Sequence, residues 1–325
     1  MATSQFTIYS SADGSAPTLT GAAGSLIALF KACLVDGYGA KAAPSPAWTQ
    51  PVATASNIGS FKPGAGSQMA FVLNDNGPNG TSTFKEAWAT GWESVAGVGS
   101  PVGSGSGQFP TAAQLLTSGH VVIRKSNTAD GTTRQWLLFA DSSTMYFFAA
   151  TGDTATMYYA FAFGDIYSLK STTDTYRAII IGRNTENSAG AGVVEGMDST
   201  VDVTTAGAGH FMPRTYGGGG SSITVGKHGD RNKAGGVSLL GIVQTPNGPD
   251  NSYYLSPVWV HENSAGTIRG RMRGFYHLCH AIAGFSDGQT FSGSGDYAGK
   301  TFQVVKQSAN NGLYCIEISN TVETN

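Results

Sequence analysis

The feature that most constrains this chain is a series of five short runs rich in β-branched and aromatic residues, at 120–124, 136–140, 145–149, 157–163 and 178–181, each followed within a few residues by Gly, Ser, Asp or Thr. Runs of this length are too short for ordinary helices and have the composition of strands. They predict an antiparallel meander, with a hairpin over 134–150 in which Asp141, Ser142 and Ser143 supply the turn. Similar runs recur at 69–73, 237–243, 253–260, 268–278, 302–306 and 313–319. One helix is expected, with Thr20 as its cap, Leu26, Ile27, Leu29, Phe30, Cys33 and Leu34 at helical spacing, and Gly37 as its end. Many short strands and one helix predict a mainly β fold, an antiparallel β-sandwich or partly closed barrel with long Gly/Ser-rich loops.

Glycine accounts for 45 of 325 residues and charged residues for only 12 %. The glycines concentrate in two stretches, 42–107 and 187–220, which read as loop-rich. The expected division is therefore an N-terminal helix and loop-rich region, 1–115, and a β-rich body, 116–325, with a flexible insertion near 187–236; the two can form one continuous domain. A net charge of −2 with 19 basic residues spread along the chain gives no footprint for nucleic acid or a membrane surface. Residues 1–11 show no basic, apolar signal-peptide pattern, and Cys33, Cys279 and Cys315 form no Cys-x-x-Cys pair, so synthesis in a cytoplasm is expected.

The chemistry-bearing residues form no recognised motif. His277 and His280 lie three apart but lack the further ligands a metal site needs, so no metal or other cofactor is expected. Gly217–Gly220 is not followed by a phosphate-binding Gly-Lys-Ser/Thr, and Gly226-Lys227-His228-Gly229 reads as a polar turn. His228 and Asp230 have no nucleophile elbow to serve, and Glu93, Asp141, Asp153, Asp165 and Glu195 are isolated acids with no pairing motif. Trp136 and Trp259 sit in strand-like runs and are expected in the core, as is Cys33 on the helix. Turn or loop character points to interface roles for Trp88, Trp92, Phe109, Tyr216 and Arg271.

Gly24-Ser25-Leu26-Ile27-Ala28, Ala32-Cys33-Leu34-Val35-Asp36-Gly37-Tyr38-Gly39 and Phe109-Pro110-Thr111-Ala112-Ala113-Gln114 resemble, in that order, segments of a family of tailed-bacteriophage virion structural proteins. Residues 124–126, 136–141, 163–166, 270–274, 298–302 and 316–321 continue the likeness. It departs at Arg273, where the resemblance implies proline, and it is weak over 187–236. The resemblance implies a non-enzymatic tail or head-to-tail neck subunit of a virion, made in the host cytoplasm and assembled as a homo-oligomer with other virion proteins. Two other expectations stand beside it: a capsid decoration or cement protein, and a host-surface glycan-binding module using Trp88, Trp92 or the Gly-rich loops.

Overall fold

A computed structural model of the chain describes residues 5–76, 85–152, 159–170, 172–186, 209–228, 253–262, 267–278, 285–307 and 312–319. Among the described residues the fold is mainly β, with antiparallel sheets, one α-helix and no closed barrel, consistent with the expected β-sandwich. Among the described residues the smaller sheet has five strands: β2 (Ile58–Phe61), β3 (Ala70–Asn74), β4 (Lys85–Gly97) and β5 (Ser104–Phe109) in that order, with β6 (Val121–Ser126) also paired to β4. The larger begins with β1 (Thr7–Ser10), β7 (Gln135–Ala140), β8 (Thr144–Ala150), β9 (Tyr159–Asp165), β11 (Ala178–Ile181) and β12 (His210–Met212). It continues through β13 (Ile223–His228), β14 (Leu255–Glu262), β15 (Thr267–Leu278), β18 (Gly312–Glu317), β17 (Thr301–Gln307) and β16 (Thr290–Ser292), with β10 (Tyr167–Ser168) pairing with β15.

Alternation of side chains along the strands turns these two sheets into three stacked layers. Leu138, Phe147, Phe161 and Ile180 point from the middle layer into a core shared with Phe71 and Ile123 of the smaller sheet and Phe30 of the helix. Their neighbours Phe139, Phe148, Ala162 and Ile181 point the other way, into a second core shared with Val258, Val260, Met272 and Ile316. The larger sheet thus folds back over itself, and β7, β8, β9 and β11 are covered on both faces. Beyond the third layer Phe291, Phe302 and Cys315 form a further cluster.

The helix spans Ser25–Lys31 and runs into a π-helical turn, Ala32–Asp36, ending at Gly37 with φ 79°. Thr20 is not its cap. Gly24 holds that position at φ 83°, and the Leu26 N–H is taken by Asp75 Oδ2 at 2.7 Å, from the end of β3. Thr20 Oγ1 instead accepts the Ala22 N–H at 3.2 Å, closing the preceding turn. Asp75 is ion-paired with Lys125, and both side chains are fully buried. Desolvation pushes Asp75 up and Lys125 down, and each partner opposes the other's shift.

The stretch 42–107, expected to be mostly loop, contributes β2 to β5. Its glycines serve close packing: a Cβ on Gly105 would lie 2.0 Å from the Ser94 carbonyl oxygen across the β4–β5 pair. Strand pairing crosses residue 115 repeatedly, since β1 pairs with β7 and β4 with β6. Of the segment 187–236, residues 209–228 carry β12 and β13 and the remainder lies outside the described residues. Gly226, Lys227 and His228, read as a turn, lie in β13 opposite His261, Val260 and Trp259. The expected strand at 237–243, and Asp230, Cys279 and His280, also lie outside the described residues. Cys33 and Cys315 are both buried, with Cys33 in the helix-side core as expected.

Candidate functional site

Strands β10, β15 and β14 lie side by side in the third layer, and their outward residues form one patch. β14 alternates, with Val258 and Val260 buried in the second core and Trp259 and His261 partly exposed on the other face. Trp259 therefore leaves the core that its apolar run suggested. Opposite Trp259 stands Arg271, and opposite Arg271 on the far side stands Tyr167. The Arg271 guanidinium lies 4.8 Å from the centre of the Tyr167 ring, a cation–π contact. His261 pairs with Ile268, which is 54 % exposed, and Leu169, beyond the end of β10, is 49 % exposed.

The neighbouring arginines on β15 are buried and committed. Arg269 donates to Glu262 at 2.8 Å and to Asp174 at 2.9 Å. Arg273 pairs with Asp141 Oδ2 at 2.9 Å and donates to Ser143 in the β7–β8 turn. That turn forms as expected, with Asp141 Oδ1 accepting the Ser143 N–H at 2.7 Å and the Thr144 N–H at 2.8 Å. Where the resemblance implies proline, Arg273 ties the third layer to the middle one. Gly274 follows at φ 57°, where a Cβ would come within 2.8 Å of the Phe6 ring. Arg271, Arg273, Gly274, Tyr167 and Glu317 edge a cleft of about 220 Å³, open mouth included. Glu317 is buried there and ion-paired with Lys300 at 3.1 Å.

The five residues expected at interfaces are scattered. Phe109 is fully buried in the helix-side core, because its ring covers Gly91 across the β4–β5 pair. Trp92 is 6 % exposed, packs with Ile58, Val72 and Val102, and donates its Nε1–H to the Val102 carbonyl at 3.1 Å. Neither is a surface residue. Trp88 is partly buried and stacks on His120 with centroids 4.1 Å apart. Tyr216 is partly buried between cations, with Lys170 Nζ 5.6 Å and the Arg269 guanidinium 5.7 Å from its ring. Only Arg271 belongs to the patch.

A second cluster surrounds His120, whose Nε2 lies 2.8 Å from Glu186 Oε1. Burial pushes the imidazole down to about 4 and Glu186 up, so the ring is neutral at neutral pH. Nearby, Arg124 donates to the Tyr159 hydroxyl at 2.8 Å. His277 is buried in β15. Among the described residues no three His, Cys, Asp or Glu are grouped to hold a metal ion, and no helix is long and apolar enough to cross a membrane. No family model matches the sequence, and no curated protein matches it.

Proposed function

We propose that this chain is a non-enzymatic structural subunit of a tailed-phage virion, assembling as a homo-oligomer at the tail or head-to-tail region. The observation that carries the architectural part is the use made of the acids that the sequence left isolated. Glu93 receives a bidentate pair from Arg214 at 2.6 and 2.9 Å, joining β4 to the segment after β12. Asp141 is held by Arg273 across two layers. Asp165 is held by Arg177 at 2.6 Å and also accepts the Ser67 N–H at 2.9 Å from beside the smaller sheet. Each acid acts as a staple between layers, which favours a stiff building block over a reactive centre. Asp153 and Glu195 lie outside the described residues.

Low net charge supports close packing of like copies. Among the described residues β16 stands at one end of the larger sheet and β5 at one edge of the smaller, positions from which a strand can pair further. The virion assignment rests on the ordered resemblance, strongest over the first forty and last sixty residues. Light scattering on the purified chain and electron cryomicroscopy of particles test the proposal. A symmetric ring or cluster of this chain on the tail axis supports it. Its absence from particles, or hydrolysis of a polysaccharide by the isolated chain, overturns it.

A further inference from the structure

We propose that Lys125 and Asp75 become joined by an intramolecular amide, formed by the folded chain itself from the side-chain amine and carboxyl with loss of one water. The inference goes beyond the architectural role and does not depend on it. Its basis is geometric. Lys125 on β6 and Asp75, directly after β3, are 50 positions apart, yet Lys125 Nζ is hydrogen-bonded to Asp75 Oδ1 and both side chains are closed off from solvent. Strand pairing holds them there, since β3 and β6 both pair with β4, Asn74 opposite Trp88 and Arg124 opposite Glu86. The remaining contacts orient the two groups. Lys125 Nζ also donates to the Ala22 carbonyl at 2.6 Å and lies 3.5 Å from Ser25 Oγ. Asp75 Oδ2 accepts the Leu26 N–H at 2.7 Å, so one carboxyl oxygen meets the amine while the other is held by a backbone donor.

In water an amine and a carboxylic acid do not condense, because ammonium has no free lone pair and carboxylate is a poor electrophile. Burial works against both obstacles, favouring the neutral acid of Asp75 and the neutral amine of Lys125. Passing one proton from Nζ to Oδ1 gives that neutral pair, already in contact and fixed in orientation by its neighbours. The Nζ lone pair then attacks Asp75 Cγ, and the negative charge that develops on Oδ2 meets the Leu26 N–H. A second Nζ proton moves to Oδ1, the Cγ–Oδ1 bond breaks, and Oδ1 leaves as water. The one proton left on nitrogen stays directed at the Ala22 carbonyl. One C–N bond replaces one C–O bond, and nothing is oxidised or reduced. The product carries no charge, so the cost of keeping two ions in a dry site disappears, which favours the amide. The end of β3 and β6 are then tied covalently across β4.

Mass spectrometry of the intact full chain, incubated folded and then denatured, tests the proposal. The expected mass is one water below that of the sequence. Tryptic digestion should yield the peptide holding Asp75 joined to the peptide holding Lys125, with cleavage after Lys125 lost. Lys125→Met and Asp75→Ala should each restore the full mass. The unaltered chain decides by itself, so a variant that fails to fold does not blur the result. A parent at full mass, with Asp75 and Lys125 recovered in separate peptides, overturns the proposal and leaves the two as an ion pair. So does a water lost at any other position in the digest, or a Lys125→Met chain that is still one water light.

Discussion

The middle layer and the outward third layer are built from the same sheet, yet they obey different rules. In β8 every residue is buried, and successive side chains serve two different cores. In β14 only alternate positions are claimed by a core, and Trp259 and His261 are left to the other face. A strand covered on both sides reads as a continuous apolar run, whereas one covered on a single side alternates. The contrast places the doubly shared packing in the middle layer and leaves partly exposed side chains on the outer one.

The sharpest test is to hollow out the middle layer. Phe147→Ala should cost about 3–5 kcal/mol in urea unfolding, since the ring is fully buried among other aromatics and the neighbouring layers cannot both collapse onto the gap. A value under about 1 kcal/mol would place this layer on the same footing as the outer one. Next in size is the staple between the two: Arg273→Met should cost about 3 kcal/mol, because Asp141 stays buried without its cation although it keeps its turn hydrogen bonds. If that variant unfolds at the parent's midpoint, the layers are held by apolar packing alone.

The smaller sheet has its own signature, in pH. The His120 imidazole takes a proton near pH 6.5 when unfolded but only near pH 4 when folded. The unfolded chain therefore binds more protons between these values, and stability present above about 6.5 is lost as pH falls through the window, ~2 kcal/mol by pH 5. Glu186, shifted upward by burial, binds its proton more readily when folded and offsets part of the loss. Unfolding midpoints at pH 7 and pH 5 should differ in the parent and converge in His120→Gln; unchanged pH dependence in that variant assigns the effect elsewhere. The smallest effect belongs to the open patch: Ile268→Ser should shift stability by less than about 0.5 kcal/mol, as expected of a half-exposed side chain.

Most of the middle layer was legible in the sequence. Residues 136–140, 145–149 and 178–181 match β7, β8 and β11 within a residue or two, and the Asp141 turn forms as its composition implied. The smaller sheet was not, because β5 is Ser-Gly-Ser-Gly-Gln-Phe, a sequence with turn composition whose glycines are required by close approach to β4. The helix cap was also hidden: Asp75 lies 49 positions from the Leu26 N–H it accepts, beyond any local capping pattern. At the candidate site Arg271 was singled out, but its neighbours were not. Tyr167 and Trp259 are 92 residues apart and come to flank Arg271 only through strand pairing, although the alternation in residues 257–262 (Pro-Val-Trp-Val-His-Glu) was a signal that Trp259 faces outward. Trp92 and Phe109 were misplaced for the same reason as the sheet that holds them.

A layer shared by two cores has a consequence for how the molecule comes apart. Opening either core strips one side from the same strands, and their remaining contacts cannot hold them in register alone. The amides of β8 and β9 should therefore exchange with solvent only when the whole body unfolds, while those of β16 exchange through local fraying at the sheet edge. The molecule would then denature in a single transition, with no half-open species in which one core survives.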